Sequence, residues 1–354
     1  MDRYGIILAG GGGTRFWPLS RAEKPKQFLN LSGKDCLVNE TADRLLPLSG
    51  AGKVFVVTSA AQSAQMSAVT AGRVPRENIF REPAARGTAA CVGYAAVKLQ
   101  KKYGDGVMIV TPSDAYIKDT DAYLQVLAAA ADAAERNDCP VIVGVEPTHP
   151  ATGYGYIHCG DRAGAARKVL RFTEKPSYEK AAEYLASGEY LWNCGIFVWK
   201  ISVVLERIEK YLPDIYKGLQ QIAAAVGTPD EERITAEIYP TLRDISVDYG
   251  ILEKSTDILA VKGSFGWSDV GSWDALDGIY GKDASGNVSV GEVVAVDCED
   301  SVFFASDRLL TAFGVKDIVV VETADAVMVC PRSHAQDVKK LVEYLKKSGK
   351  TGVL

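Results

Sequence analysis

Residues 4 to 28 hold the side chains best suited to chemistry. They read Tyr4-Gly-Ile-Ile-Leu-Ala-Gly-Gly-Gly-Gly-Thr-Arg-Phe-Trp-Pro-Leu-Ser-Arg-Ala-Glu-Lys-Pro-Lys-Gln-Phe28. The run Ile6, Ile7, Leu8 suits a buried parallel strand. Gly10, Gly11, Gly12 and Gly13 follow; without a Cβ they tolerate positive φ and let a ligand approach the main chain. Successive amides in such a turn attract anions. Arg15, Arg21, Lys24 and Lys26 face one acid, Glu23. The expected ligand is a phosphate. No Lys-Ser/Thr pair follows Gly13, so the loop is not a P-loop. Counted from Gly10 or Gly11, the sixth place falls on Arg15 or Phe16, so the dinucleotide fingerprint is absent too. Pro18 and Pro25 disfavour a long helix here, leaving an extended, cation-bearing loop as the expectation, or an ordinary glycine-rich turn.

The elements that must position this loop alternate. A helix is expected over Val38 to Leu46, a strand over Lys53 to Thr58 and another near Ile79. A helix over Thr88 to Tyr103, a strand over Val107 to Thr111, a helix over Asp121 to Arg136 and a strand over Val141 to Val145 follow. On the helix over Asp121 to Arg136, Leu124, Leu127, Ala128 and Ala131 share a face. The pattern predicts an α/β fold with a mostly parallel sheet covered by helices on both sides. Ligands in such sheets bind beyond the carboxyl ends of the strands, where the glycine loop and Thr111-Pro-Ser-Asp114 would lie. From Thr152 to Lys200 the chain turns β-rich, and helical segments return between Ser202 and Leu242. Ser285 to Pro331 reads as short strands. A last helix is expected from Ser333, with Gln336 placed for a capping box, Val338, Leu341, Val342 and Leu345 on its apolar face, and Gly349 ending it. No internal repeat or low-complexity segment is visible. The expected division is a catalytic domain over residues 1–284 and a small domain over 285–354.

Ala9-Gly-Gly-Gly-Gly-Thr-Arg15, Pro18-Leu-Ser-Arg21 and Pro25-Lys-Gln-Phe28 together resemble the signature of the sugar-1-phosphate nucleotidylyltransferases, and the mannose-1-phosphate guanylyltransferase group above all. The resemblance runs from residue 5 to about residue 345. It implies a Rossmann-like, glycosyltransferase-A-like fold with a small C-terminal β-helical domain. It also implies transfer of GMP from GTP to α-D-mannose 1-phosphate, giving GDP-mannose and pyrophosphate with Mg²⁺ or another divalent cation. A homodimer is expected by the same resemblance. Other readings are a nucleotidylyltransferase for a heptose or glucose phosphate or another nucleotide, and an inactive nucleotide-sugar-binding regulatory homologue.

Carried over residue by residue, the resemblance assigns Leu8, Gly10, Gly11, Gly12, Gly13, Thr14, Arg15, Glu82, Pro83, Arg86, Thr88 and Ser113 to the nucleotide. Asp114 stands at a strand end, where an aspartate is either a turn or cap residue or a carboxylate holding Mg²⁺ against phosphates. The resemblance makes it a metal ligand, although many relatives carry His where this chain has Ala115. Phe265-Gly-Trp-Ser-Asp-Val-Gly-Ser-Trp273 supplies the second metal ligand, Asp269; Trp267 and Trp273 read as packing residues. Gly153, Tyr154, Asn193 and Gly195 fall on sugar-contacting segments, whose plainer reading is strands with bulge glycines; Glu174 and Lys175, which alone read as a solvated surface pair, fall on the segment that contacts the sugar phosphate in the family. Arg15, Lys26, Asp114 and Asp269 form the expected catalytic set. Relatives commonly have Asn where this chain has Gly87, a departure in the base-contacting loop. Ser246-Val-Asp-Tyr-Gly-Ile-Leu-Glu253 also matches, placing Asp248 in the site's vicinity.

Composition sets the remaining bounds. The 354 residues are 47% hydrophobic, enough for one large core and a second, smaller domain. A net charge of −5 with no basic stripe argues against general nucleic-acid binding. Seven scattered cysteines and three histidines fit reduced thiols in a cytoplasmic protein, without a zinc or histidine-rich centre. No apolar run reaches the roughly 20 residues of a membrane helix. With a strand expected within a few residues of Met1, no secretory leader is expected, and by the same resemblance no fused isomerase domain is expected.

Overall fold

The computed structural model describes residues 1–354. In chain order the elements begin β1 (Arg3–Ala9), α1 (Leu37–Ser49), β2 (Val54–Ser59), α2 (Ser63–Val69), β3 (Ile79–Glu82), α3 (Gly87–Tyr103), β4 (Val107–Pro112), β5 (Tyr116–Ile117) and α4 (Thr120–Asn137). Next come β6 (Val141–Val145), β7 (Tyr156–Ala163), β8 (Ala166–Thr173), α5 (Tyr178–Ser187), β9 (Tyr190–Lys200), α6 (Ile201–Tyr211), α7 (Pro213–Ala225), α8 (Glu231–Ile238), α9 (Val247–Gly250) and β10 (Leu259–Gly263). The chain ends with β11 (Trp267–Ser268), β12 (Val288–Val290), β13 (Val293–Val296), β14 (Val302–Ala305), β15 (Leu310–Phe313), β16 (Ile318–Glu322), β17 (Val327–Pro331) and α10 (Val338–Lys347). Two compact units interleave in sequence. One gathers Met1–Gly10, Thr41–Ser113 and Asp119–Trp267; the other gathers Gly11–Glu40, Asp114–Lys118 and Ser268–Leu354.

The first unit is built on a nine-stranded sheet in the order β3-β2-β1-β4-β9-β6-β10-β8-β7. The pairs from β3 to β4 are parallel, as is β6 with β10. β9 runs antiparallel to both β4 and β6. Its reversal has a consequence for function. The strands beside it end at Pro112 and Val145, so the beginning of β9 stands at their carboxyl edge, where Trp192 and Asn193 pair with Val145 and Gly144. The hairpin of β7 and β8 completes the mixed half. Ile6, Val57, Met108, Val110, Ile142 and Phe197 join one large core with α3, α6 and α7. α3 buries a row of small residues, and a Cβ on Gly93 would come 2.4 Å from Leu219, so glycine permits the close helix approach.

α4 is one residue longer at each end than the sequence predicts, and its phase differs. Tyr123, Leu127, Ala130, Ala131 and Ala134 are buried, while Leu124 and Ala128 are only half-buried. Tyr123 wins the central place because its ring packs edge-on against Phe265, centroids 5.1 Å apart. Asp119 caps this helix by accepting the amide of Ala122.

The second unit ends in parallel coils. β12, β14 and β16 stack as neighbours, with Val288 beside Val302 and Val302 beside Val319; β13 pairs with β15. This is a repeat in space that local sequence does not announce, because the steps between equivalent valines are unequal and the positive-φ corners are shared between Asp297, Asp300 and Asp317 and Gly286, Gly291 and Gly314 rather than falling to one recurring residue type. The expected capping box at Ser333 does not form. Arg332–Asp337 is a 3₁₀ turn, and Gln336 donates its amide to Ser272 instead, at 2.6 Å. Val338 is buried and Val342 and Leu345 are partly so, but Leu341 is exposed. Gly349 closes the helix at φ 72°, as expected.

Candidate active site

Within the second unit, the loop beyond Gly10 is shaped by steric need at one glycine only. Gly13 adopts φ 61°, and a Cβ there would lie 2.1 Å from Cβ of Lys26. Gly11 and Gly12 have nothing within 4 Å of that position, so their backbone is open to a ligand. Phe16 donates its amide to Gly13 O, and Ser20 donates its hydroxyl to the same carbonyl at 2.8 Å. The aromatic pair Phe16 and Trp17 anchors the turn in the unit's core. Thr14 and Arg15 stay exposed, and the Arg15 guanidinium has no protein partner.

The four cations of the loop have different fates. Arg21 is taken by Asp325 at 2.6 Å and lies over the Trp17 ring. Lys24 is exposed. Lys26 is buried, 5% exposed, and its ammonium donates to Asp114 Oδ2 at 2.9 Å and to the carbonyl of Asp269 at 2.6 Å. It also lies 5.8 Å from the centre of the Phe16 ring. Three residues distant in sequence, all singled out by the sequence reading, therefore meet at one ammonium.

Asp114 keeps 38% of its side chain exposed and engages Lys26 through one oxygen. The Asp269 carboxylate folds back toward Gly271, where a Cβ would lie 2.9 Å from Oδ2. Two carboxylates, with the remaining positions left to phosphate oxygens and water, suit Mg²⁺. No cluster of three or more His, Cys, Asp or Glu side chains is present, so the protein alone does not cage an ion. The donor set fits a metal bound jointly with a phosphorylated ligand.

The first unit carries the other assigned residues. Leu8 O accepts the amide of Ser113 at 3.0 Å. Glu82 is buried, accepts the hydroxyl of Tyr239, and is pushed up from the ordinary carboxyl range by burial, against the pull of Tyr239 and Cys91. Its Oε2 lies 3.7 Å from where a Cβ on Gly10 would be. Pro83 is exposed. Arg86 donates to Pro240 O at 2.7 Å, and Thr88 accepts the amide of Val247 at 2.9 Å. Arg86 and Thr88 are thus engaged within the protein. Gly87 has φ 68°, and a Cβ there would come 2.5 Å from Ile245 O, so this backbone has no room for a side chain at that position.

Asn193 and Glu174 sit at one edge of the sheet in the same unit. Glu174 is 8% exposed in its side chain; Oε1 accepts from Lys175 at 2.7 Å, and Oε2 is buried without a partner. Lys175 stands at φ 45° with its side chain largely exposed. Gly155 crowds Glu174, since a Cβ there would meet Oε2 at 2.5 Å. Gly153 is exposed and open, whereas Gly195 needs its φ of 71°. Tyr154 packs edge-on between Trp192 and Trp267 at 5.0 and 5.3 Å. The indole N–H groups of these two tryptophans are buried and unpartnered. Trp273, in the second unit, is fully buried as expected, donating to Trp17 O at 3.1 Å. Asp248, left by sequence only near the site, accepts the Asn193 amide at 2.9 Å. Glu253, with no role predicted, accepts the Glu174 backbone amide at 3.0 Å. The Ser246 to Glu253 motif was the available signal.

Residues 4–285 match the family model described as nucleotidyl transferase, and residues 291–345 match the MannoseP isomerase/GMP-like beta-helix domain. The mannose-1-phosphate guanylyltransferase of Escherichia coli K12 is 39% identical over 362 residues, covering 98% of this chain and 74% of that protein. The xanthan biosynthesis protein XanB of Xanthomonas campestris is 38% identical over 352 residues, covering 99% and 74%. A crystal structure described as mannose-1-phosphate geranyltransferase from Thermus thermophilus superposes with a TM-score of 0.90 at 36% identity, over 98% of this chain and all of that one.

Proposed function

Because the chain belongs to the nucleotidyl transferase family, among the mannose-1-phosphate guanylyltransferases, we propose that it transfers GMP from GTP to α-D-mannose 1-phosphate, releasing pyrophosphate. The observation that carries the reading is the Lys26 ammonium bound to both Asp114 and Asp269, in a chain similar over nearly its whole length to such enzymes. The sugar phosphate oxygen attacks the α-phosphorus of GTP as the bond to the β-phosphate breaks and its electrons leave with pyrophosphate. The attacking oxygen is already ionised, so no side-chain base or nucleophile is required. The protein's tasks are positioning and charge neutralisation.

Arg15, exposed and unpaired, together with the amides of Gly11 and Gly12, binds the leaving β,γ-phosphates. Lys26 neutralises charge at the reacting phosphates. Lys175 holds the sugar phosphate, while Glu174 and Asn193 accept from and donate to the hexose hydroxyls. Glu82, Pro83, Arg86 and Thr88 form the loop on which the base rests; Leu8, Gly10, Gly13, Thr14 and Ser113 complete the nucleotide set, and Gly153, Tyr154 and Gly195 the sugar set. Nucleotidyl transferases of this family generally use a divalent metal; here Asp114 and Asp269 would hold Mg²⁺, whose charge stabilises the phosphates. No helix is long and apolar enough to cross a membrane; a cytoplasmic homodimer is the working state we propose.

A panel of GTP, ATP, UTP and dTTP against mannose, glucose and heptose 1-phosphates, scored by pyrophosphate release with Mg²⁺, tests the reading. Release with GTP and mannose 1-phosphate at least tenfold above every other pair is the expected result. Absence of release from any pair would leave a binding homologue as the better description.

A further inference from the structure

The side chain of Asn193 is held at both ends. Nδ2 donates to Asp248 Oδ1 at 2.9 Å, and Oδ1 accepts the backbone amide of Gly195 at 3.0 Å. The backbone of the same residue is tied to Gly155 O at 2.8 Å. An asparagine amide has two donors and one acceptor oxygen, so this clamp leaves one N–H of fixed direction. Asp248 is itself rigidly placed. It lies on α9, where Ser246 caps the turn by accepting the Tyr249 amide. The preceding residues are pinned to the nucleotide-side loop, Val247 N to Thr88 and Ala89 N to Ile245 O at 3.1 Å. The segment ends with Glu253 holding the backbone of Glu174.

From this arrangement we infer that Asp248 is a positioning residue for sugar selection: it fixes the amide of Asn193 so that a single donor faces one hexose hydroxyl. The inference rests on the reading of Asn193 as a sugar contact. A carboxylate suits this task, because a charged acceptor grips the amide about twice as strongly as a neutral one and cannot donate in competition. Burial, then the neighbouring charge of Glu174, pushes the Asp248 carboxyl up to about 6, while Lys175 and the Asn193 bond pull it down. Below that pH the carboxyl carries a proton and grips the amide less tightly.

The first test needs no substrate. In the unliganded protein, the side-chain amide signal of Asn193, identified by its loss in Asn193→Ser, is followed by NMR from pH 4.5 to 8. A shift with a midpoint near pH 6 that vanishes in Asp248→Asn is expected; a signal at the same position in the wild type and in Asp248→Asn across the whole range overturns the clamp. Kinetics form the second test. Asp248→Ala should raise KM for mannose 1-phosphate by about tenfold to a hundredfold, with kcat and KM for GTP changed less than about threefold. In the Asn193→Ser background the same change should add almost nothing. Equal losses in kcat and both KM values, or a full effect in the double variant, would show a merely structural role. The sugar phosphate itself titrates near pH 6, so the pH dependence of KM is read as the difference between the wild type and Asp248→Asn. Should the wild type turn over no sugar phosphate, the proposed reaction fails, while the NMR titration still decides the clamp.

Discussion

The Lys26 ammonium is held by the Asp114 carboxylate and by the Asp269 carbonyl, and the two bonds separate the roles of these residues. Lys26→Ala removes the charge but leaves Asp114 exposed enough to be solvated, so the fold should persist. One charge-assisted contact is worth about 1.5–3 kcal/mol, so kcat/KM should fall at least tenfold to a hundredfold, and raising Mg²⁺ should not restore it. Asp269→Ala keeps the carbonyl that Lys26 uses and deletes only the carboxylate. Its kcat/KM should fall as far, but with a raised Mg²⁺ requirement and partial recovery at high Mg²⁺. Magnesium titrations of pyrophosphate release in both variants, with circular dichroism to confirm folding, check the pair; identical Mg²⁺ dependence would remove Asp269 from the metal. Gly13→Ala tests the same site from the backbone. A methyl there meets Lys26 at an impossible 2.1 Å and also carries a left-handed φ. It should displace Lys26 and reproduce most of the Lys26→Ala loss, whereas Gly12→Ala, with open space around it, should do so only through contact with nucleotide.

At the scale of elements, Glu322 at the end of β16 is the clearest organiser of the C-terminal coils. Its carboxylate accepts the backbone amides of Ser306, Asp307 and Arg308 and the Arg308 guanidinium. The Arg308 bond, seconded by those amides, draws its carboxyl down to about 2. A carboxyl depressed on folding stabilises above its unfolded value and loses that contribution as pH falls through the folded one. The contribution of Glu322 should therefore be complete above pH 4.5 and disappear as pH falls toward 2. Glu322→Gln should lower stability at neutral pH by on the order of 2 kcal/mol, with the gap to wild type closing in acid; urea unfolding at pH 7 and pH 3 measures it. Elements of this kind were unevenly legible in the sequence. β1, β4 and β6 are apolar runs whose burial follows from composition alone. The alternation of strand and helix pointed to the sheet, and Pro18 and Pro25 pointed to a loop rather than a long helix after the glycines. Tyr123 displaced Leu124 from the α4 face because its partner, Phe265, is remote in sequence. Asp248 and Glu253 could be placed near the site but not matched to Asn193 and Glu174, since those pairings are made by tertiary approach.

For the molecule as a whole, the footing of the N-terminal loop lies far along the chain. Phe16, Trp17, Leu29 and Leu31 share one core with Val270, Trp273, Val288, Val302, Phe304, Val319 and Met328. Phe16 packs on Trp273 with ring centres 5.1 Å apart, and Trp273 packs on Phe304 at 5.4 Å. Local sequence carries no record of this stack, which joins residues of the nucleotidyl transferase match to residues of the beta-helix match. Its consequence is that Lys26 and Arg15 depend on the β-coils for their position. Phe304→Ala should cost about 3–5 kcal/mol, the usual range for emptying a buried aromatic site. The temperature at which pyrophosphate release is lost should fall with the unfolding of this core. Trp17 and Trp273 both lie in it, so single-tryptophan versions carrying one or the other would report its melting directly. A chain shortened to residues 1–284 should show no turnover even if it remains dispersed, because its loop has lost half of the side chains beneath it. Full activity in that shortened chain, or activity in Phe304→Ala that outlasts melting of the Trp17 environment, would show that the loop stands without the coils.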